Sequence, residues 1–211
     1  GSSETWYVDG TNSISWSVTC TIPSVDILFD NDAGNDLFET LPIVSGYTGA
    51  SPYPWTIPAN EETTRQLVTS DKCRIKVRNG SDIAVPDESS QNFYMKPRVF
   101  LGNEITSGTS WEVTGNSDTF TWTTTGALST LKLYSSDDEG KVGTWHYQTS
   151  FPASAGSYQW TNIPTADTVA HGKALIKLVR DEQSVEDAAV SDESAWFTIK
   201  GKINVTSPIT N

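Results

Sequence analysis

Trp6-Tyr7-Val8-Asp9-Gly10, followed by Ile14-Ser15-Trp16, returns later in the chain as Trp111-Glu112-Val113-Thr114-Gly115, followed by Phe120-Thr121-Trp122. The correspondence then continues in unbroken order. Val25-Asp26-Ile27 is matched by Leu131-Lys132-Leu133, and Tyr53-Pro54-Trp55-Thr56 by Tyr158-Gln159-Trp160-Thr161, with Pro58 answered by Pro164. Cys73-Arg74-Ile75-Lys76-Val77 is matched by Ala174-Leu175-Ile176-Lys177-Leu178, and Asp87-Glu88-Ser89 before Phe93 by Asp192-Glu193-Ser194 before Phe197. Six of the eight Trp residues fall into three matched pairs, so the repeat is specific and the chain of 211 residues divides into two copies. Each copy has the usual size of one domain, about 100 residues.

Within each copy the apolar residues alternate: Ile14, Trp16 and Val18; Val25 and Ile27; Ile75 and Val77; Phe120 and Trp122; Leu131 and Leu133. Period two marks strands with one buried face. No stretch sustains helical apolar spacing, and Gly-, Asp- and Asn-rich segments such as 30–36 and 135–143 separate the runs as turns. Seven or so short strands per copy predict an all-β chain of two tandem immunoglobulin-like antiparallel β-sandwiches. The expected boundaries are residues 4–97 for module one and 98–202 for module two, with 203–211 a linker or the start of a third module. Ile203-Asn204-Val205-Thr206 follows the last strand of copy two, as Arg98-Val99-Phe100-Leu101 follows that of copy one. Each module is thus expected to open with a strand running on from its predecessor. Such short linkers restrict bending and suit an array.

The Trp-x-Val-x-Gly start, the Ile-x-Trp strand, the Tyr-x-Trp-Thr…Pro strand, the Cys-Arg-Ile-x-Val strand and the Asp-Glu-Ser…Phe end together resemble the Kre9/Knh1-type immunoglobulin-like domain. That domain is also termed the Ser-Thr-rich GPI-anchored membrane family. The resemblance implies non-catalytic modules of secreted, cell-wall, cell-surface or matrix proteins, and it transfers no catalytic residue to any position here. Its expected partners are cell-wall, matrix or polysaccharide components, or further copies of the same module. Copy one departs from the pattern with long stretches over 41–52 and 60–71.

A net charge of -12 and a pI near 4.4 exclude the basic stripe that nucleic-acid binding needs. The sequence holds no run of about 18 apolar residues, the length a membrane-spanning helix needs. Gly1-Ser2-Ser3 reads as a remnant of recombinant expression, so a missing signal peptide says nothing of localisation. An extracellular or cell-surface setting follows instead from the family resemblance and from the cysteines.

Cys20 extends the parity of Ile14, Trp16 and Val18, and Cys73 shares the parity of Ile75 and Val77, so both thiols are expected to point into the sandwich. Their counterparts, Gly126 and Ala174, lack the thiol together, as members of a bonded pair would. The expectation is a Cys20–Cys73 disulfide and an oxidising compartment, with two buried thiols as the alternative. Closing that loop would stabilise copy one by about 3–4 kcal/mol.

Asp30-Asn31-Asp32-Ala33-Gly34-Asn35-Asp36 sets oxygen donors on alternate residues around a glycine. Asp30, Asp32 and Asp36 are therefore candidate calcium ligands, although the glycine spacing is not that of an EF-hand and an acidic hairpin turn is the competing reading. The matching loop 136–140 sets its acids side by side. Asp87, Glu88, Asp192 and Glu193, near the module ends, are a further place where calcium could stiffen a junction. No other cofactor is expected.

No enzymatic activity is expected. His146 and His171 have no match in copy one and belong to no nucleophile motif, and His/Cys metal clusters and Gly-rich phosphate loops are missing from the sequence. Trp145 and Trp196 lack Trp counterparts; core packing is the first expectation for both, and stacking on a sugar ring the second. A carbohydrate-binding accessory role in a secreted enzyme is accordingly the alternative function. Asn79 and Asn204 begin glycosylation sequons.

Overall fold

The computed structural model describes residues 4–30, 42–58, 72–88, 92–113, 118–161, 163, 173–181, 183–185, 190–201, 203 and 207. Among the described residues its elements are strands, apart from one 3-10 turn at Ala153–Ala155. The chain separates into two compact units, residues 1–98 with 125–127, and 99–124 with 128–211. Each unit is an immunoglobulin-like sandwich with its own core.

In module one, β3 (Val25–Asp30) is flanked by β4 (Pro42–Tyr47) and β6 (Arg74–Asn79), with β7 (Asp82–Glu88) beyond β6. The opposing layer holds β2 (Thr11–Ile14) paired with β5 (Tyr53–Thr56), and β1 (Thr5–Tyr7) paired in parallel with β8 (Tyr94–Lys96). Module two repeats this order. There β12 (Thr130–Ser136) lies between β13 (Trp145–Pro152) and β15 (Leu175–Arg180), with β16 (Ser191–Glu193) at the edge. Opposite run β14 (Ser157–Trp160), β11 (Asp118–Thr125) and β9 (Arg98–Leu101), together with the parallel pair β10 (Ser110–Glu112) and β17 (Thr198–Lys200).

Register is duplicated residue by residue. Ile14 faces Tyr53 as Phe120 faces Tyr158, and Asp30 faces Arg74 as Ser136 faces Leu175. Trp6 faces Met95 as Trp111 faces Ile199. Parallel pairing of β1 with β8 and of β10 with β17 is a closure that alternation alone does not reveal, because period two is the same in both pairing senses.

The cores follow from the alternation. Val25, Ile27 and Phe29 of β3 point inward onto Trp6, Trp55 and Phe93, and Leu131 and Leu133 of β12 onto Trp111, Phe120 and Phe197. Trp55 crosses Trp6 at 5.9 Å and Trp160 crosses Trp111 at 5.9 Å. Edge-to-face rings at this distance add about 0.5–1.5 kcal/mol per pair beyond area burial. Ala174 and Cys73 occupy one position, each bridging backbone to the following Phe, Phe197 or Phe93.

Candidate functional site

Asp30, first of the candidate calcium ligands, closes β3 with its carboxylate fully buried, and Arg74 Nη2 lies 3.5 Å from its Oδ2. An arginine from the neighbouring strand thus already offers charge to the carboxylate offered to calcium. Asp32 and Asp36 lie outside the described residues, as do His171 and Asn204. In module two the same two positions are Ser136 and Leu175, and Ser136 Oγ accepts from the amides of Asp138 (3.2 Å) and Gly140 (3.0 Å). The acids of that turn pair with cations, Asp138 with Lys141 at 2.6 Å and Glu139 with Lys173. Loop 136–140 is a hydrogen-bonded acidic turn. Among the described residues no three His, Cys, Asp or Glu groups converge on a metal-sized site.

In module two the acids near the module end hold backbone and lysine. Asp192 Oδ2 accepts the Leu101 amide at 2.8 Å, Oδ1 accepts the Glu193 amide at 3.0 Å, and Glu193 pairs with Lys177 Nζ at 2.8 Å. Asp192 thereby ties the edge strand β16 to β9 of the opposing layer, a role that spacing alone could not disclose. In module one Asp87 and Glu88 take the same register positions, opposite Val77 and Lys76.

The cysteines differ from expectation in one respect. Cys73 is buried in the core as its parity predicts, but Cys20 is exposed. β2 ends at Ile14, so the inward alternation does not extend to Val18, which is 51% exposed, or to Cys20. Both residues are held as thiols in the structure.

Trp145 and Trp196 are not core residues. Trp196 is 46% exposed, and Trp145 is half-buried, lying on the outer face over Gly140 with Lys177 Nζ 5.2 Å from its ring centre. Lys177 bridges Trp145 on one side and Glu193 on the other, a combined cation–π and ion-pair contact. On the same sheet, Tyr134 and Tyr147 face each other across β12 and β13, with ring centroids 5.8 Å apart at 70°. Tyr147 is 54% exposed. Lys132 Nζ bonds the Asp181 carbonyl at 2.6 Å and carboxylate at 2.9 Å, and that bond holds its ammonium above the usual lysine range. Module two therefore presents an outer sheet face of aromatic rings edged by fixed ammonium groups. The equivalents of Tyr134 and Lys132 in module one are Leu28, which is buried, and Asp26, which takes Arg78 Nε at 3.1 Å and the Gly46 amide at 2.8 Å. The aromatic face is thus a property of the second copy. Rings of this kind stack on the apolar faces of sugars or on aromatic and apolar side chains of a protein partner.

No family model matches the chain. No curated protein matches it either. Among solved structures, the two tandem V-type regions of VCBP3, a v-region-containing chitin binding protein, align over 94% of this chain and 96% of theirs at 12% identity, with a TM-score of 0.27. The two immunoglobulin domains of DIP-gamma align over 96% and 94% at 12% identity, with a TM-score of 0.29. The four N-terminal immunoglobulin domains of Dscam1 isoform 4.44 align over 95% of this chain and 43% of theirs at 10% identity, with a TM-score of 0.26.

Proposed function

We propose that the chain is a pair of non-catalytic structural and adhesive repeat modules of a large secreted cell-surface or extracellular-matrix protein. The observation that carries this reading is the residue-by-residue duplication of the core, Trp6–Phe93 and Trp55 in one copy and Trp111–Phe197 and Trp160 in the other. Selection on a repeated framework preserves the packing while leaving the outer faces to diverge, as they do at Leu28 and Tyr134. The resemblance to the Kre9/Knh1-type domain supports the same setting. Stabilisation by calcium at the loop from Asp30 to Asp36 belongs to this reading as a proposal, with Arg74 as the competitor for Asp30.

A second reading, carbohydrate-binding accessory modules, is favoured by the exposed Trp196 and Tyr147. One experiment separates the two. Beads coated with the chain are mixed with each other and with insoluble polysaccharides, and the parent is compared with Trp196→Ala plus Tyr147→Ala. Bead clustering that survives the double substitution, with no soluble sugar released, is expected for adhesive modules. Polysaccharide retention lost with the two rings would establish the second reading, and released sugar would overturn both.

A further inference from the structure

Among the described residues the two four-stranded sheets end in four edge strands, β4 and β7 in module one and β13 and β16 in module two. An edge strand presents unpaired main-chain groups to any other strand, and charge, proline, bulges or shortness keep it from pairing. β7 carries Pro86 with Asp82, Asp87 and Glu88, and β16 is three residues long with two acids. β4 is broken by two register shifts, and Gly46, at φ 67°, donates its amide to Asp26 Oδ1 of its own sheet at 2.8 Å. β13 differs. It runs for eight residues, from Trp145 to Pro152, with no Asp, Glu, Lys or Arg among them.

The one register shift of β13 falls at Gln148, whose Nε2 donates to Ser135 Oγ at 2.8 Å and to the His146 carbonyl at 3.1 Å. Beyond that bulge Thr149, Ser150, Phe151 and Pro152 stay in unbroken register on Leu133, Lys132, Leu131 and Thr130. Residues of an antiparallel ladder alternate between turning both main-chain groups to the neighbour and turning both away. Ala153 donates its amide to the Ser129 carbonyl, while Thr130 gives its carbonyl to the Asp181 amide on the β15 side. Phe151 therefore turns its main chain to β12, and Ser150 and Pro152 turn theirs outward from the sheet edge. Both residues are exposed. Among the described residues the Ser150 carbonyl meets only Thr149 Oγ1, at 3.5 Å.

Each copy of the chain carries a net charge of -12, so two copies approach closely only where their acids do not meet. Among the four edges, β13 satisfies this with an unbroken stretch of strand. It is also self-complementary, because the outward amide and carbonyl of Ser150 match those of Ser150 in a strand rotated about a two-fold axis. A register centred on Phe151 would set Ser150 against Pro152, which has no N–H, and lose a donor on each side. Centred on Ser150, the two serines exchange both bonds and Pro152 supplies only its carbonyl.

We propose that β13 pairs antiparallel with β13 of a second copy of this chain, about a two-fold axis at Ser150, joining the outer sheets of module two in each copy into one continuous sheet. Tyr147, 54% exposed, is drawn toward Pro152 of the second copy and covers the seam with an apolar ring. Main-chain hydrogen bonds supply affinity in such strand addition, and the alternate side chains supply specificity. The contact is isologous and closes as a dimer. Such a dimer deepens the adhesive reading of the proposed function, on which it rests, because the partner is a further copy of the chain held through its second module.

Sedimentation equilibrium of the full chain tests it. The parent is expected to pass from monomer to dimer, and to nothing larger, with a Kd below about 1 mM. Ser150→Pro removes the outward N–H and leaves the bonds to β12 in place, and Ser150→Lys sets two ammonium groups at the axis. Each is expected to weaken dimerisation at least about tenfold, and near-ultraviolet circular dichroism checks that both fold. A parent that stays monomeric up to about 1 mM or grows beyond dimers, or folded variants that associate like the parent, would overturn the proposal. Cross-linking tests the register. In Cys20→Ser protein, Ser150→Cys is expected to give a covalent dimer under mild oxidation, because facing residues of a bonded antiparallel pair stand about 5.5 Å apart at Cα, within the span of a disulfide. Ser157→Cys, at an exposed position on β14 of the opposing layer, is expected to stay uncross-linked. Equal cross-linking of the two, or none in the first, would overturn the pairing. Bead clustering is read separately, and clustering retained by monomeric Ser150→Pro would overturn the strand contact as its source while leaving the adhesive reading standing.

Discussion

The ring of Trp111 lies 4.5 Å from that of Phe197, a separation that Trp6 keeps from Phe93 in the other copy. Each pair joins the strand of the parallel seam, β1 or β10, to the residue just ahead of its partner strand, β8 or β17, and so closes the sandwich there. Trp111→Ala removes a side chain that is 4% exposed, and the lost area and residual cavity together cost about 3–5 kcal/mol. Trp196→Ala, at an exposed position, is expected to stay within about 0.5 kcal/mol. Urea titrations of the two variants beside the parent check the contrast, and comparable losses would place Trp196 in the core.

Asp30 and Arg74 make an ion pair that module two replaces with Ser136 and Leu175 at the same register. Removing the arginine takes a compensating charge away from a buried carboxylate. Arg74→Leu is therefore expected to destabilise by about 3 kcal/mol, the lower end of the range for broken buried pairs, since Arg74 keeps some contact with water. Asp30→Ser with Arg74→Leu installs the solution of module two and is expected to recover most of that loss. A double variant no more stable than the single one would mean that the pair is held for a reason beyond its charge.

The duplicated Trp, Val and Leu positions make the two sandwiches legible in the sequence, because buried alternation is a local pattern that the chain writes twice. Cys20 shows where this reasoning ends. Parity along 14–20 identifies a strand only if some neighbour pairs with it, and the neighbour that lengthens β11 is β9, distant in sequence and without a counterpart among the described residues of module one. Trp145 and Trp196 depart from the core-packing expectation for a related reason: residues beside an apolar strand can face either way. The roles of Asp192 and Ser136 depend on which amide comes within reach across the fold, and no spacing encodes that.

Cys20 is exposed and Cys73 is wholly buried, so their reactivities should differ. In native protein without reductant, a thiol reagent is expected to label Cys20 quickly and Cys73 only after denaturant is added. Thiolate access governs the rate. Failure to label either cysteine after denaturation would establish the Cys20–Cys73 disulfide, and would require the 15–20 segment to turn inward.

Glu104 accepts a hydrogen bond from Thr121 Oγ1, and that bond, with a further contribution from its own backbone amide, holds the carboxyl below the usual glutamate range. A depressed folded-state pKa contributes stability above the unfolded value, and that contribution is lost as pH falls through the folded one. Thr121→Val keeps the β-branched shape for the strand and deletes the donor. Carboxyl resonances followed by NMR are expected to show Glu104 titrating at lower pH in the parent than in the variant; coincident curves would remove the hydrogen bond as the cause.

Calcium poses the sharpest question about Asp30, because the same carboxylate cannot serve Arg74 and a cation at full strength. With the guanidinium in place, the loop offers an ion chiefly Asp32 and Asp36, and two carboxylates suit only the weak end of extracellular calcium sites, with Kd of about 0.1–1 mM. Arg74→Leu releases Asp30 from the guanidinium, and calcium would then supply the positive charge that the arginine gave. Stabilisation by a ligand follows RT ln(1 + [L]/Kd), so a Kd lowered tenfold by the extra carboxylate adds about 1.4 kcal/mol once the site is near saturation. Melting is measured in a few millimolar calcium and in chelator at matched ionic strength, for the parent and for Arg74→Leu. The calcium-dependent rise is expected to be larger in the variant by several degrees, and to vanish in Asp30→Ser with Arg74→Leu. A rise equal in all three proteins would move the site away from Asp30, and no rise in any of them would end the calcium reading of this loop.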